Sequence, residues 1–128
     1  MRCIVWHVLL THYFENWLVE QSSDMQERVL AALRNLETYG PRLSRPHADN
    51  IKGSQYPNMK ELRVQYTGKP IRIFFAFDPT RRAIVLCAGN KSNDKNFYQK
   101  MIHIADREFT SYLLSMRESN ENTSTSYR

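Results

Sequence analysis

Three short runs rich in β-branched and aromatic residues constrain the fold of this chain more than any other feature. They occupy residues 60–66, 71–77 and 83–88, and loops containing Gly, Pro or Asp separate them. Such runs at such spacing are typical of an antiparallel β-meander. Apolar and polar residues alternate along the first two runs, so each of these strands is expected to present two different faces.

The alternation also predicts how the first two strands pair. If residues 67–70 form a four-residue loop, Tyr66 lies opposite Ile71 and Gln65 lies opposite Arg72. A slip of one residue would turn an arginine into the core, so this register is favoured. The sheet is then expected to have one apolar, buried face and one basic, partly aromatic face with Arg63, Gln65, Arg72 and Phe74.

The second turn predicts a cluster of charges at one end of the sheet. If the loop before Ala83 pairs that residue with Phe77, then Ala88 lies opposite Arg72. The polar loop after Gly89 and the start of the next helix follow directly. The expected cluster comprises Arg72, Lys91, Lys95 and, on the first turn of that helix, Tyr98.

The remaining segments predict an α+β protein with the element order β-α-α-β-β-β-α. Residues 3–10 are expected to form a strand at one edge of the meander, and Thr11 to cap a short helix through Val19. A second helix follows and ends at Gly40-Pro41. These two helices are interpreted as core elements without chemistry, and the C-terminal helix from Phe97 is expected to pack on the apolar face of the sheet.

Length and composition indicate one domain, predicted to span residues 1–118, with a disordered tail over residues 119–128. The longest apolar runs are too short to cross a bilayer, and no small-residue cleavage site follows the N-terminal run, so a cytoplasmic protein is expected. Cys3 and Cys87 lack ligand spacing and are predicted to be buried thiols.

The net charge of +5 is concentrated in one part of the chain. Residues 41–107 carry 13 Lys and Arg against five acids, a net charge of +8. Basic residues on one strand face, with aromatic residues among them, favour nucleic-acid binding over a merely solvated surface. The loop-rich stretch 41–59 adds candidate groove residues, although a solvent-facing connection is the preferred interpretation for His47: Arg42, Arg45, His47 and Lys52.

No catalytic triad, phosphate-binding loop, dinucleotide fingerprint or Cys/His metal set is present in the sequence, so no metal or cofactor is expected. The basic cluster suits a phosphodiester, because cations offset charge on the phosphoryl oxygens and a phenol can orient or deprotonate a hydroxyl. RNA supplies its own nucleophile, the 2′-OH group.

The same region resembles a known family. The segments Asn58-Met-Lys-Glu-Leu-Arg-Val64, Ile71-Arg-Ile-Phe-Phe-Ala-Phe-Asp-Pro79 and Gly89-Asn-Lys…Phe-Tyr98 are similar to the Gp49-like branch of HigB toxins in the RelE/ParE superfamily. Gly40-Pro41, Arg45-Pro46, Ile51-Lys-Gly-Ser54 and Ile104-Ala-Asp106 extend the resemblance to most of residues 3–114. The resemblance implies a small RelE-like fold with a meander packed on helices.

The resemblance implies the toxin of a type II toxin–antitoxin pair, which cleaves mRNA in the ribosomal A site by 2′-OH attack. It implies a helix-turn-helix antitoxin, the ribosome and mRNA as partners. Arg72, Lys91 and Tyr98 occupy its catalytic positions, whereas Met59-Lys60-Glu61 replaces the paired lysines of RelE. His47 is the candidate general base, and His103 is a further candidate. Contacts to RNA phosphates are expected from Lys60, Arg63, Lys95, Lys52 and Arg45.

Two other functions remain open at this point. One is a non-enzymatic toxin that poisons DNA gyrase, as ParE toxins do, and the other is a phage-derived nucleic-acid-binding module without activity. ParE-type chains typically lack the catalytic basic residues, so the set of Arg72, Lys91 and Tyr98 favours the ribonuclease.

Overall fold

A computed structural model describes the backbone of residues 6–126 and the side chains of residues 6–119. It confirms the α+β class and the predicted order of elements, with one added short strand in the stretch 41–59. A single 3-10 turn, Gly40–Arg42, follows the second helix. The elements are β1 (His7–Leu10), α1 (His12–Val19), α2 (Ser23–Tyr39), β2 (Ala48–Asn50), β3 (Met59–Tyr66), β4 (Lys69–Phe77), β5 (Arg82–Asn90) and α3 (Phe97–Ser126).

The helix boundaries follow from local caps. The Thr11 hydroxyl accepts a hydrogen bond from the Phe14 N–H at 3.2 Å, so α1 begins where the sequence predicts. Helix α2 ends at Gly40, as predicted, with a φ of +52°. A Cβ atom at Gly40 would lie only 2.4 Å from Nε1 of Trp6, so this position requires glycine for space as well as for conformation.

The five strands form one sheet in the order β1-β5-β4-β3-β2. Strand β1 pairs with β5 in parallel at one edge, which confirms the predicted edge position. The predicted strand included Cys3, which lies outside the described residues. At the other edge, β2 pairs with only the first half of β3.

The predicted four-residue loop between β3 and β4 is wrong. Tyr66 pairs with Lys69, so the turn consists of Thr67 and Gly68, and both have positive φ angles of 43° and 77°. Two positive φ angles are characteristic of the tight hairpin turns that match strand twist. The register moves by two residues, and because two is the period of a strand, every side chain keeps its predicted face. Arg72 therefore lies opposite Arg63 rather than Gln65.

The second pairing contains an irregularity that the sequence does not reveal. Phe77 pairs with Ala83 as predicted, but Phe74 pairs with Cys87 and Phe75 with Val85. One residue of β5 is therefore extra, which makes a β-bulge. Beyond it Arg72 lies opposite Gly89, so the predicted pairing with Ala88 is wrong.

The sheet is buried on both faces. Helices α1 and α2 cover one face, where Leu62, Ile73 and Phe75 pack against Phe14 and Val29. Helix α3 covers the other face, so its predicted position on the first face is wrong. The reason is that Phe74, Ala76, Ile84 and Leu86 make the second face apolar as well, and they pack against Phe97, Ala105 and Phe109.

Three further features bear on the predictions. Cys87 is buried with a free thiol, and burial raises its pKa. Helix α3 continues to Ser126, past the predicted start of a disordered tail at residue 119, and the division into a domain and a tail stays a prediction. None of the helices in the described part of the chain is long and apolar enough to cross a membrane.

Candidate active site

A buried carboxylate organises the polar end of the sheet. Glu61 on β3 is only 2% exposed. Its Oε1 accepts a hydrogen bond from the Tyr98 hydroxyl at 2.7 Å, and its Oε2 accepts one from Nε of Arg63 at 3.1 Å. Nε of Arg72 lies 3.7 Å from Oε1. These residues, together with Lys91, are called the Glu61 cluster.

Strand alternation places the two arginines together. Glu61 and Arg63 are two residues apart on β3 and share a face, and Arg72 lies directly opposite Arg63 on β4. Like charges in directly opposed positions of a sheet repel each other. The carboxylate of Glu61 offsets this repulsion, because it is within ion-pair distance of both guanidinium groups.

Close packing between α3 and the sheet brings Tyr98 to the cluster. A Cβ atom at Gly89, opposite Arg72, would lie 3.1 Å from the Phe97 ring, so glycine there allows the first turn of α3 to approach. The Tyr98 ring packs edge-on against Phe74 with 6.0 Å between centroids. Nζ of Lys91 lies 5.5 Å from the centre of the same ring, within cation–π range.

The protonation of Tyr98 follows from these surroundings. Burial and the hydrogen bond to Glu61 raise the pKa of the Tyr98 phenol above its usual value. At neutral pH the side chain is therefore a neutral phenol, which donates to Glu61 and keeps its oxygen lone pairs available to accept another hydrogen bond.

Arg72 is left with spare hydrogen-bonding capacity in a largely buried position. Its side chain is 13% exposed, and one terminal nitrogen donates to the Ile71 carbonyl at 3.1 Å. Among the described residues, its Nε has no hydrogen-bond partner, since Glu61 is too far away for one. An unsatisfied buried donor costs about 1–3 kcal/mol, and an anion bound beside it would remove that cost.

A second carboxylate extends the network toward the surface. Oδ2 of Asp49 accepts hydrogen bonds from Nε of Arg45 at 2.9 Å and from Arg63 at 3.2 Å. The hydrogen bond from the Asn50 N–H, followed by that from Arg45, lowers the pKa of Asp49. Arg45 is thus linked to Arg63 through Asp49, as a mostly exposed outer member of the network.

The other predicted site residues are placed differently. His47 is exposed and lines an open groove of about 490 Å³ together with Arg63 and Arg72. Lys60 lies on the opposite face of β3, where its Nζ donates to Oδ1 of Asn50 at 2.8 Å. The remaining four are exposed, with no contact to the Glu61 cluster among the described residues: Arg42, Lys52, Lys95 and His103.

In the sequence, Glu61 was singled out only as part of the segment Met59-Lys60-Glu61. Strand alternation is the signal that could have placed Glu61 in the site, because Glu61, Arg63 and Arg72 share a face once the register is fixed. The part of the chain that the structure describes contains no group of three or more side chains suited to hold a metal ion. The Glu61 cluster instead offers N–H and O–H donors, which suit an oxyanion.

Comparison with known sequences gives a consistent family. Residues 16–110 match the family described as phage derived protein Gp49-like. The chain is 42% identical to the putative toxin HigB3 of Mycobacterium tuberculosis, over 84% of this chain and 94% of that protein. It is 41% identical to the putative toxin HigB2 of the same organism over 80% of this chain, and spans 52% of that longer protein.

Comparison with solved structures gives the fold. A mutant of the Escherichia coli toxin RelE in the free state superimposes with a TM-score of 0.59 and 10% identity, over 80% of this chain and 96% of that one. The toxin–antitoxin complex RelBE2 of M. tuberculosis contains a chain that matches with a TM-score of 0.54 and 13% identity, over 69% of this chain and 100% of that one. At such identities the likeness establishes the fold alone.

Proposed function

The chain belongs to the family of phage-derived Gp49-like proteins, and on that premise we propose that it is the toxin of a type II toxin–antitoxin pair and cleaves mRNA on the ribosome. The names of the putative toxins HigB3 and HigB2 support the first part. The Glu61 cluster carries the second part, because it holds Arg72, Tyr98 and Lys91 around one buried carboxylate.

Arg72 stabilises the transition state in this proposal. Attack of the 2′-oxygen on phosphorus places additional negative charge on the non-bridging oxygens. A planar guanidinium can meet two of these oxygens with parallel hydrogen bonds. The position of Arg72 supports this role, because its side chain lines the open groove, where its guanidinium group can meet a phosphoryl oxygen.

Tyr98 and Glu61 provide a route for the proton of the nucleophile. The Tyr98 oxygen accepts the 2′-OH proton while its own proton passes to Glu61 along the 2.7 Å hydrogen bond. The new bond joins the 2′-oxygen to phosphorus, and the bond from phosphorus to the 5′-oxygen breaks. Lys91 donates a proton to that leaving oxygen, which yields a 2′,3′-cyclic phosphate and a 5′-hydroxyl. His47, which lines the adjacent groove, is the competing general base.

The proposal includes partners and a location. The substrate is ribosome-bound mRNA, which places the protein in the cytoplasm. The solved toxin–antitoxin complex with the same fold supports an antitoxin partner, and a helix-turn-helix antitoxin is the type we expect. Acidic residues on that antitoxin would complement the positive charge of residues 41–107.

Expression of the chain alone and together with its genomic neighbour tests the toxin assignment. We expect growth arrest without the neighbour, relief with it, and new mRNA 5′ ends within codons at the ribosomal A site. Growth arrest without new 5′ ends, accompanied by gyrase-dependent DNA breaks, would instead establish the gyrase-poisoning alternative. Unimpaired growth from soluble, folded protein would remove the toxin assignment.

A further inference from the structure

An open groove runs from the Glu61 cluster across the edge of the sheet to α2. It has a volume of about 490 Å³, with Arg63 and Arg72 at one side and Arg28 and Asn35 of α2 at the other. Arg28 and Asn35 are seven residues apart and therefore lie on one stripe of the helix. The stripe contains two alanines between them, so small side chains leave the surface of the helix open to a ligand. The expectation that α2 contributes only to the core is therefore incomplete.

The charged side chains that line the groove are all arginines. The residues that line it include three arginines and no carboxylate. Arg63 is already bound by Glu61 and Asp49, and Arg72 lies beside Glu61. Arg28, by contrast, is exposed and forms neither an ion pair nor a side-chain hydrogen bond with any residue that the structure describes. Its charge is therefore available to a ligand.

The edge of the sheet adds polar backbone groups. Strand β2 ends its pairing at Leu62, and the last hydrogen bond on this side joins the Arg63 N–H to the His47 carbonyl at 2.8 Å. Every second residue of a strand presents its backbone to the same side, so Gln65 turns its N–H and C=O toward the groove. This free edge is too short to add a peptide strand, which needs a longer run of hydrogen bonds.

We propose that this groove is a second RNA-binding subsite, which holds a phosphate and the adjoining sugar of single-stranded RNA beside the scissile linkage, with Arg28 as its principal cation. The inference rests on the proposed ribonuclease function and adds α2 to the substrate surface. Single-stranded RNA fits the available charge of Arg28 and the open, polar walls. A protein partner would need an apolar pocket for an anchoring side chain, and this groove offers only alanine, proline and a buried valine.

A binding assay with a matched control tests this subsite. The probe is a fluorescein-labelled oligoribonucleotide that carries 2′-O-methyl groups, so it binds but cannot be cleaved. Arg28→Glu should weaken binding roughly tenfold or more, the equivalent of one charge-assisted contact. The slope of log Kd against the logarithm of the salt concentration should become smaller by about 0.7, because one phosphate contact is lost. Arg34→Glu is the control, because Arg34 is equally exposed on α2 but does not line this groove.

The outcomes separate the subsite from the proposed function. The inference is supported if Arg28→Glu loses affinity for the oligonucleotide and Arg34→Glu does not. It is overturned if the two variants bind alike, or if Arg28→Glu weakens only the antitoxin. In either of those cases, a loss of cleavage in Arg72→Ala would leave the ribonuclease proposal standing. Absence of cleavage by the wild type, with oligonucleotide binding still dependent on Arg28, would remove the ribonuclease and keep the groove.

Discussion

Two regions of this protein each combine a buried carboxylate with arginine and tyrosine side chains. They differ in how many hydrogen bonds the carboxylate accepts. In the first, Glu61 is approached by Tyr98, Arg63 and Arg72 but accepts only two hydrogen bonds from side chains. In the second, Asp78 accepts five hydrogen bonds from Thr80, Arg82 and Tyr112, three from their side chains and two from backbone N–H groups. Both carboxylates are buried, with side chains 3% and 0% exposed.

The Asp78 site is a closed structural link. Asp78 begins the turn between β4 and β5, and its five donors include the Tyr112 hydroxyl at 2.6 Å, which fastens α3 to that turn. Burial alone would raise the pKa of Asp78, but the hydrogen bonds from Tyr112, Arg82 and Thr80 outweigh burial and lower it. Both oxygens of the Asp78 carboxylate are therefore occupied by donors from the protein itself.

The Glu61 cluster, by contrast, contains donors that lack an acceptor. Arg72 has a buried, unpartnered Nε, and Lys91 lies against the Tyr98 ring without an ion pair to any described residue. An excess of cations over carboxylates costs stability when no ligand is bound, and it becomes favourable when an anion arrives. The same set of carboxylate, arginine and tyrosine thus serves folding when its hydrogen bonds are saturated, and in the proposed function it serves catalysis when they are left open.

The largest expected effect is on cleavage, from Arg72→Ala. Loss of one preorganised oxyanion donor should slow cleavage by roughly 10²–10³-fold. Arg72→Lys should also be impaired, because an ammonium lacks the planar fork of a guanidinium. Single-turnover cleavage of ribosome-bound mRNA measures both, and Arg82→Ala is the control at the Asp78 site. Full activity in a folded Arg72→Ala protein would contradict the catalytic role.

Next is a stability effect from Asp78→Ala. Its five donors lose their acceptor at once, so we expect a loss of about 2–4 kcal/mol in the free energy of unfolding. The matched control is Asp94→Ala, which removes a 2.7 Å pair with Lys100 at the surface and should cost about 1 kcal/mol or less. Urea denaturation gives both values. Equal losses of unfolding free energy in the two variants would show that the Asp78 site stabilises the fold no more than an exposed ion pair does.

Glu61→Gln should reduce cleavage by roughly 10²-fold, because the amide retains the shape of the carboxylate but cannot take a proton from Tyr98. The pKa of the Tyr98 phenol should fall, since the carboxylate that helps to raise it is gone. NMR titration of ¹³C-labelled tyrosines follows that pKa independently of activity. If Glu61→Gln cleaves normally while His47→Gln does not, His47 is the general base and the relay is wrong.

The smallest expected effect is from Lys60→Ala. Lys60 lies on the face of β3 away from the Glu61 cluster and bonds to Asn50, so its loss should weaken ribosome binding modestly, by less than about tenfold. The single-turnover cleavage rate should remain unchanged. A collapse of that rate with normal binding would place Lys60 at the reacting phosphate and contradict the observed strand faces.

Much of this fold could be predicted because strand alternation and helix caps are local signals. Thr11, Gly40 and the faces of the β3 and β4 residues follow from the chain itself. The two-residue turn at Thr67 and Gly68 could not be distinguished from a longer loop, since a shift of two residues preserves every face. The bulge in β5 lies within a run of apolar residues, where either register buries the same kind of side chain.

The site was harder to predict than the fold. The cluster of Arg72, Lys91 and Tyr98 follows from strand order and the position of Gly89. Its centre, Glu61, does not, because a single glutamate on a strand is usually a solvated charge. The groove residue Arg28 is sequentially remote from the meander, and only packing of α2 against the sheet edge brings it near Arg63.

Tyr98 and Tyr112 are the natural pair for testing the comparison, because each hydroxyl donates to one of the two buried carboxylates. Burial and the hydrogen bond to Asp78 raise the pKa of Tyr112 to about 12. A pKa raised in the folded state adds stability below the unfolded value of about 10, and that stability is lost as the pH rises toward 12. Tyr112→Phe should therefore be less stable than the wild type at neutral pH, and the difference should vanish at strongly alkaline pH.

The most direct test measures the single-turnover rate of mRNA cleavage and the free energy of unfolding for Tyr98→Phe and Tyr112→Phe in parallel. We expect Tyr98→Phe to lose roughly 10²–10⁴-fold in cleavage, which is far more than its loss of about 1 kcal/mol or more in stability could explain at a temperature where it is folded. We expect Tyr112→Phe to lose about 1 kcal/mol in stability and to cleave as the wild type does at a temperature where both are folded. Normal cleavage by Tyr98→Phe, or an equal loss of cleavage in both variants, would contradict the division between a catalytic and a structural carboxylate.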